Sequence, residues 1–167
     1  SHEFILGYAF VGLLVGLCQA VICLVAGFMI SLFTSDNFIS LGQGVLLILS
    51  QTPMLVISVF LGIIFGTILN DKSAPGICSV FISACGILGG CWMPIETMGG
   101  FETICRFLPF CPSVYLGRII TSAVNALQKT YTFDSVAGLG LIPIAVFMVG
   151  SVVLSFVLFK SNMTSDK

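Results

Sequence analysis

Charge is confined to a few short stretches of this chain. The charged positions are Glu3, Asp36, Asp71, Lys72, Glu96, Glu102, Arg106, Arg118, Lys129, Asp134, Lys160, Asp166 and Lys167. No charge falls between Glu3 and Asp36, Asp36 and Asp71, Lys72 and Glu96, or Asp134 and Lys160. A bilayer core of about 30 Å needs about 20 apolar residues in a helix, and each of these four stretches has that length. The pattern predicts an all-α integral membrane protein with spans at 6–33, 43–69, 74–95 and 136–159.

The expected boundaries have local causes. Thr34, Ser35, Asp36 and Asn37 form a polar turn after the first span, and Asn70 to Ser73 form another between the second and third. Asp134 or Ser135 is placed to cap the last helix at its N-terminus. Lys160 is placed at its C-terminus, where a cation suits the helix dipole. Pro53 and Pro143 lie inside spans, and each removes a backbone donor, so both are expected to kink or locally open their helices.

Residues 96–135 break the pattern. Gly99, Gly100, Pro109 and Pro112 punctuate a segment of mixed polarity. Glu102 and Arg106 stand four apart, in the favourable order for a helical ion pair. From Arg118 to Leu127 the apolar Ile119, Ile120, Ala123, Val124 and Leu127 fall on one face, and Thr121, Ser122, Asn125 and Gln128 on the other. This is the pattern of an interfacial or re-entrant amphipathic helix. A solvated loop with one short helix is the alternative, but Phe101, Ile104, Phe107, Leu108, Phe110 and Val114 favour a re-entrant hairpin before the last span.

Composition strengthens this reading. Of 167 residues, 57% are hydrophobic and 8% charged, against about 25% charged in a soluble domain. So little charge cannot cover a water-facing surface, which excludes a soluble enzyme or a nucleic-acid binder. The length is that of one transmembrane domain, 1–167. The first span is too long for a signal peptide, and the opening at Ser1 without methionine suggests the C-terminal part of a longer protein.

Charge counting leaves orientation open. With Ser1 inside, Lys72, Lys160 and Lys167 face Arg106, Arg118 and Lys129 across the membrane, three against three. The positive-inside rule is silent on such a tie. Arg106 and Arg118 sit within the re-entrant segment, whereas the three inside lysines lie in turns or a tail. That asymmetry leans towards cytoplasmic termini.

The chemistry of catalysis is missing. His2-Glu3 opens like a zinc helix motif, but Leu6 stands where the second histidine would be. No span holds an aspartate or any other ionisable group, which disfavours proton coupling. The phosphate-binding loop G-x-x-x-x-G-K-[ST] is absent. The seven cysteines form no CxxC. Cys91, Cys105 and Cys111 cluster near one end as either reduced thiols or a disulfide pair with one left over. Small residues mark close helix approach: Gly12, Gly16, Ala20, Cys23 and Gly27 on one face of the first helix, then Gly62-x-x-x-Gly66 and Gly86-x-x-x-Gly90. Packing within the chain and contact with a second subunit both fit them. Gln19, Gln51 and Thr52 are the candidates for a polar path lining, with hydrogen bonds to neighbouring helices as the alternative.

The order of features resembles one known family. Ser1, Glu3, Leu6, Gly7 and Tyr8 open a long helix, and Gly62-Ile63-Ile64-Phe65-Gly66 ends the next. A helix then closes in Leu88-Gly89-Gly90-Cys91-Trp92-Met93-Pro94-Ile95-Glu96-Thr97-Met98. Ile104, Phe107, Leu108-Pro109-Phe110 and Arg118 follow before one last span. This succession, over essentially the whole chain, resembles the membrane subunits of type-2 ATP-binding-cassette exporters.

The resemblance implies six helices per subunit, with this chain holding the third to the sixth, and two subunits, alike or different, around one pathway. It implies a multi-pass cell-membrane protein with both ends of this chain cytoplasmic. ATP would be bound by a separate cytoplasmic ATPase, and this chain would carry no cofactor. The cargo class would be amphipathic: a drug, a peptide or a lipid-linked molecule. Pro94, Glu96, Met98, Glu102, Arg106, Pro109 and Arg118 would form the outer gate. Pro94 would end the third span, and Glu96 would cap the next short helix or pair with Arg106 or Arg118. Ser1, His2 and Glu3 would remain from the ATPase-coupling junction. An ion-driven carrier or channel, and a structural scaffold subunit, are the competing classes.

Overall fold

The computed structural model describes residues 2–34, 39–93, 95–123, 131 and 141–165, with the side chains of His2, Thr34, Glu96 and 162–165 left out. All regular structure among them is helical. In chain order the elements are α1 (His2–Thr34), α2 (Leu41–Ile68), α3 (Ala74–Leu88), a 3-10 turn (Ile95–Thr97), α4 (Phe101–Phe107), α5 (Phe110–Ile120) and α6 (Leu141–Ser165). At about 1.5 Å per residue, α1, α2 and α6 each exceed the ~30 Å of a bilayer core. These three are long and apolar enough to cross a membrane.

α2 lies at the centre. It packs against α6, α1 and α5, and more lightly against α3. Its start is set by a capping box: Ser40 Oγ accepts from the Gln43 N–H at 3.3 Å, and Gln43 Oε1 accepts from the Ser40 N–H at 2.9 Å. The helix then runs on through Pro53 to Ile68. Ile57, Phe60 and Ile64 recur on its buried face. Phe60 joins Ile5 and Ala9 of α1, with Val152, Phe156 and Phe159 of α6 packed around them. A second core gathers Ile95, Cys105, Cys111, Tyr115 and Tyr131. Aromatic edges link α3 to its neighbours: Phe81 meets Phe65 of α2 at 4.9 Å and Phe110 of α5 at 6.4 Å, centroid to centroid.

The small-residue stripe on α1 is used within the chain at its first two positions. A methyl group at Gly12 would stand 3.0 Å from Val59 Cγ1, and one at Gly16 would overlap Leu55 Cδ1. Gly62 and Gly66 of α2 face open space.

The expected third span ends early. α3 stops at Leu88, not near residue 95, and its 15 residues reach only about 22 Å. The cause is the glycine pair. The Gly90 N–H donates to the Ile87 carbonyl and the Cys91 N–H to the Gly86 carbonyl, both at 3.0 Å, with Gly90 at φ +73°. This is a Schellman turn, which wants glycine at its left-handed position. Pro94, expected to end the helix, lies outside the described residues and six positions beyond the actual end.

Two other boundaries differ. α5 ends at Ile120, where the Thr121 N–H donates back to the Gly117 carbonyl and Ser122 takes φ +53°; of the amphipathic helix expected over 118–127, residues 124–127 lie outside the described residues. Lys160 does not terminate the last helix, which continues to Ser165. The turn expected at Asn70–Ser73 is present. The Asn70 carbonyl accepts from the Ser73 and Ala74 N–H groups and from Ser73 Oγ. The polar turn at 35–37 and the cap at Asp134 or Ser135 lie outside the described residues.

Gly90→Ala places a Cβ 2.6 Å from Ile95 Cγ1 in a left-handed backbone. It is expected to lower stability by about 1–2 kcal/mol, read as a fall of about 2–8 °C in thermal unfolding in detergent micelles. Gly62→Ala, with nothing near it, should leave the midpoint unchanged or slightly higher.

Candidate functional site: the clasp around Arg118

Arg118 lies in the last turn of α5. One arm of its guanidinium donates to the Gly90 carbonyl at 2.5 Å and the other to the Tyr131 hydroxyl at 3.1 Å. The guanidinium carbon stands 5.8 Å from the Tyr115 ring centroid and 5.3 Å from that of Tyr131. The two rings meet edge to face at 5.1 Å and 89°, and both are buried. Carbonyl, hydroxyl and two π faces all suit a cation. Gly90 follows the C-terminal end of α3 and Arg118 belongs to the C-terminal end of α5, so the negative ends of two helix dipoles converge on one positive group.

The main chain around Arg118 is tied down as well. The Ala123 N–H donates to the Arg118 carbonyl at 2.8 Å, and the Tyr131 N–H donates to the Ala123 carbonyl at 3.3 Å. Tyr131 is thereby returned to the arginine it touches.

The other end of α5 is held by Gln51 of α2. Gln51 Nε2 donates to the Ser113 carbonyl at 2.9 Å, and Ser113 Oγ donates to Gln51 Oε1 at 2.5 Å. Ser113 is buried, so each group supplies what burial would otherwise deny the other. Gly117, one turn on, admits Leu47 and Gln51 at 3.6 and 3.7 Å from where its Cβ would stand.

Of the expected gate residues, the structure brings Arg118 to the Gly90 turn and packs Met98 against the second core. Pro109 is fully buried where α5 begins. Glu102 and Arg106 form the expected ion pair at 2.6 Å on the exposed side of α4; a pair so exposed contributes little to stability. Arg118 is occupied by a carbonyl and two tyrosines, which sequence reasoning did not foresee. The Glu96 side chain is outside the description.

Of the path candidates, Gln51 bonds a neighbouring helix and Thr52 donates to the Ile48 carbonyl of its own. Gln19 is exposed on α1. Of the junction residues, Glu3 is exposed in the first turn of α1; Ser1 and the His2 side chain lie outside the description.

Gly90, Ser113, Tyr115 and Tyr131 were missed. Tyr115 and Arg118 stand three apart, a spacing that pairs side chains on a helix. Tyr131 carries no such signal. Among the described residues no group of three or more His, Cys, Asp or Glu side chains could hold a metal ion. None of the seven cysteines is in a disulfide; Cys105 and Cys111 lie in one buried cluster and Cys91 is exposed. The arrangement is mechanical: it fastens α5 to α2 at one end and to the end of α3 at the other.

Compared with protein-family models, curated proteins and solved structures, the chain matches none.

Arg118→Met leaves the Gly90 carbonyl and the Tyr131 hydroxyl without their donor. It is expected to cost about 2–3 kcal/mol in thermal unfolding, with Arg118→Lys recovering less than half, since a lysine cannot fork. Gln51→Leu should cost about 1–3 kcal/mol, and adding Ser113→Ala to it should cost less than the sum of the two single changes.

Proposed function

We propose that this chain is the membrane-spanning permease subunit of a type-2 ATP-binding-cassette exporter. It carries an amphipathic molecule (a drug, a peptide or a lipid-linked compound) across the cell membrane. ATP is bound and hydrolysed on a separate cytoplasmic subunit, and the ends of this chain face the cytoplasm. What supports the reading is the contact between Arg118 and the Gly90 carbonyl. The Gly-Gly stretch and the later arginine are separate parts of the motif order on which the resemblance rests, and here they touch.

In this reading the segment from Ile95 to Ile120 is the outer gate. α4 and α5 dip into the outer leaflet as a hairpin hinged at Leu108-Pro109. The clasp holds α5 on the end of α3, so a movement of α3 carries the hairpin with it. Gln51 relays movements of α2 to the same helix. ATP binding on the partner subunit rocks two permease subunits between inward-open and outward-open arrangements. The pathway wall is apolar, as an amphipathic cargo requires.

Two experiments test this. Purification of the full-length protein from its native membrane in mild detergent should bring down an ATPase subunit, and vesicles of the complex should transport with ATP regardless of ionophores. Uptake that collapses with the proton or sodium gradient would mean an ion-driven carrier, and an ATPase-free preparation without transport would mean a scaffold. On a background lacking native cysteines, an impermeant thiol reagent applied to intact cells should label Glu102→Cys and not Lys72→Cys; the opposite result overturns the orientation.

A further inference from the structure

Pro53 divides α2 into two parts that pack differently. After it, Ile57, Phe60 and Ile64 are buried; before it, Gly44 alone is. The proline has no N–H, so the Leu49 carbonyl loses its helical donor. Two hydroxyls act on the same stretch. Ser50 Oγ donates to the Leu47 carbonyl at 2.8 Å, and Thr52 Oγ1 donates to the Ile48 carbonyl at 3.0 Å. Back-bonding of this kind bends helices, and proline is a site of sharp kinks.

The α1-facing side of this stretch is open. A crevice of about 270 Å³ is lined by Ala20, Cys23 and Gly27 of α1 and by Leu47, Ile48 and Gln51 of α2. Along α2 the two helices touch on either side of it. A methyl group at Gly44 would stand 2.7 Å from Leu24 Cδ1, and one at Gly16 would overlap Leu55 Cδ1. At about 100° per residue, Leu49 and Pro53 fall on the face of α2 opposite Leu47, Ile48 and Gln51. The missing hydrogen bond is therefore on the far side. Opening the helix there bends it concave towards α1 and leaves a gap between two points of contact.

Gln51 joins this stretch to α5. Its amide donates to the Ser113 carbonyl and accepts from the Ser113 hydroxyl near the start of α5. The end of α5 is fixed by Arg118, which donates to the Gly90 carbonyl and the Tyr131 hydroxyl.

We infer that α2 is a two-position joint at Pro53. Bent, it leaves the crevice open. Straight, it closes the crevice and draws Gln51, and with it the start of α5, towards α1. α5 then tilts about the Arg118 clasp. The joint is built into α2 and does not require that the chain be an exporter.

The test uses the full chain in phosphatidylcholine vesicles. Cys23 and Ile48 line opposite walls of the crevice. In Ile48→Cys, a membrane-permeant oxidant joins the new thiol to Cys23 at a rate that rises as the crevice closes, because a disulfide needs its Cα atoms within about 7 Å. Peptide masses identify this product among the native cysteines. Adding Pro53→Ala gives the Leu49 carbonyl a donor in the straight form. Cross-linking should then speed up about 2- to 10-fold, the effect of one hydrogen bond on the balance of two states. Spin labels on encoded azide-bearing residues at the exposed positions 107 and 68 follow α5. Pro53→Ala should shift their mean separation by about 2–4 Å. Adding Gln51→Leu should abolish that shift and leave the faster cross-linking. An unchanged or lower rate in Pro53→Ala overturns the joint. A faster rate with no shift, or a shift that survives Gln51→Leu, overturns the link to α5 through Gln51. Neither readout involves ATP or transport, so failure here leaves the exporter reading standing, and failure of that reading leaves this one.

Discussion

Inside a bilayer the backbone must satisfy its own hydrogen bonds, and a helix does so without help from any neighbour. Side-chain hydroxyls follow the same economy here. Ser50, Thr52, Ser58, Thr67, Ser83, Ser151 and Ser155 all donate to carbonyls three or four residues back in their own helices. Once polarity is satisfied locally, shape is what remains to bring the long helices together. That is why α1 meets α2 at Gly12 and Gly16, where side chains of α2 occupy the space a methyl group would need. It is also why Phe60 and Phe156 fill the seam between α2 and α6.

The short helices obey a different rule. α3 is too short to cross alone, and α4 and α5 are shorter still. Their ends expose carbonyls and amides that the helix itself cannot pair. The structure meets this by gathering ends. The Schellman turn closes α3 and turns the Gly90 carbonyl towards Arg118; the same side chain terminates α5 electrostatically and lies on two tyrosine rings. Gln51 holds the first turns of α5 with both halves of its amide, through the Ser113 carbonyl and hydroxyl. The polar contacts described between elements thus gather on α5, one near its start and one at its end.

These two regimes explain what could be read in advance. The spacing of charges located α1, α2 and α6 because a hydrocarbon layer tests length and polarity, and both are written residue by residue. The Asn70–Ser73 turn and the Glu102–Arg106 pair were legible for the same reason, since each depends on neighbours a few positions away. Ser40-x-x-Gln43 carried a readable cap that was passed over, and the glycine pair at 89 and 90 was a stop signal that the following apolar run, Cys91 to Met93, obscured.

What the sequence alone determined is the class of solvent: a chain with no charge over four long stretches, built of helices. The partners of Arg118 and Gln51 were decided only by the tertiary structure. Gly90 lies 28 positions from Arg118 and Ser113 lies 62 from Gln51. No local spacing encodes such a meeting, because it depends on where α3 ends, how α5 crosses α2, and which of several carbonyls and hydroxyls arrive within hydrogen-bond distance of a donor.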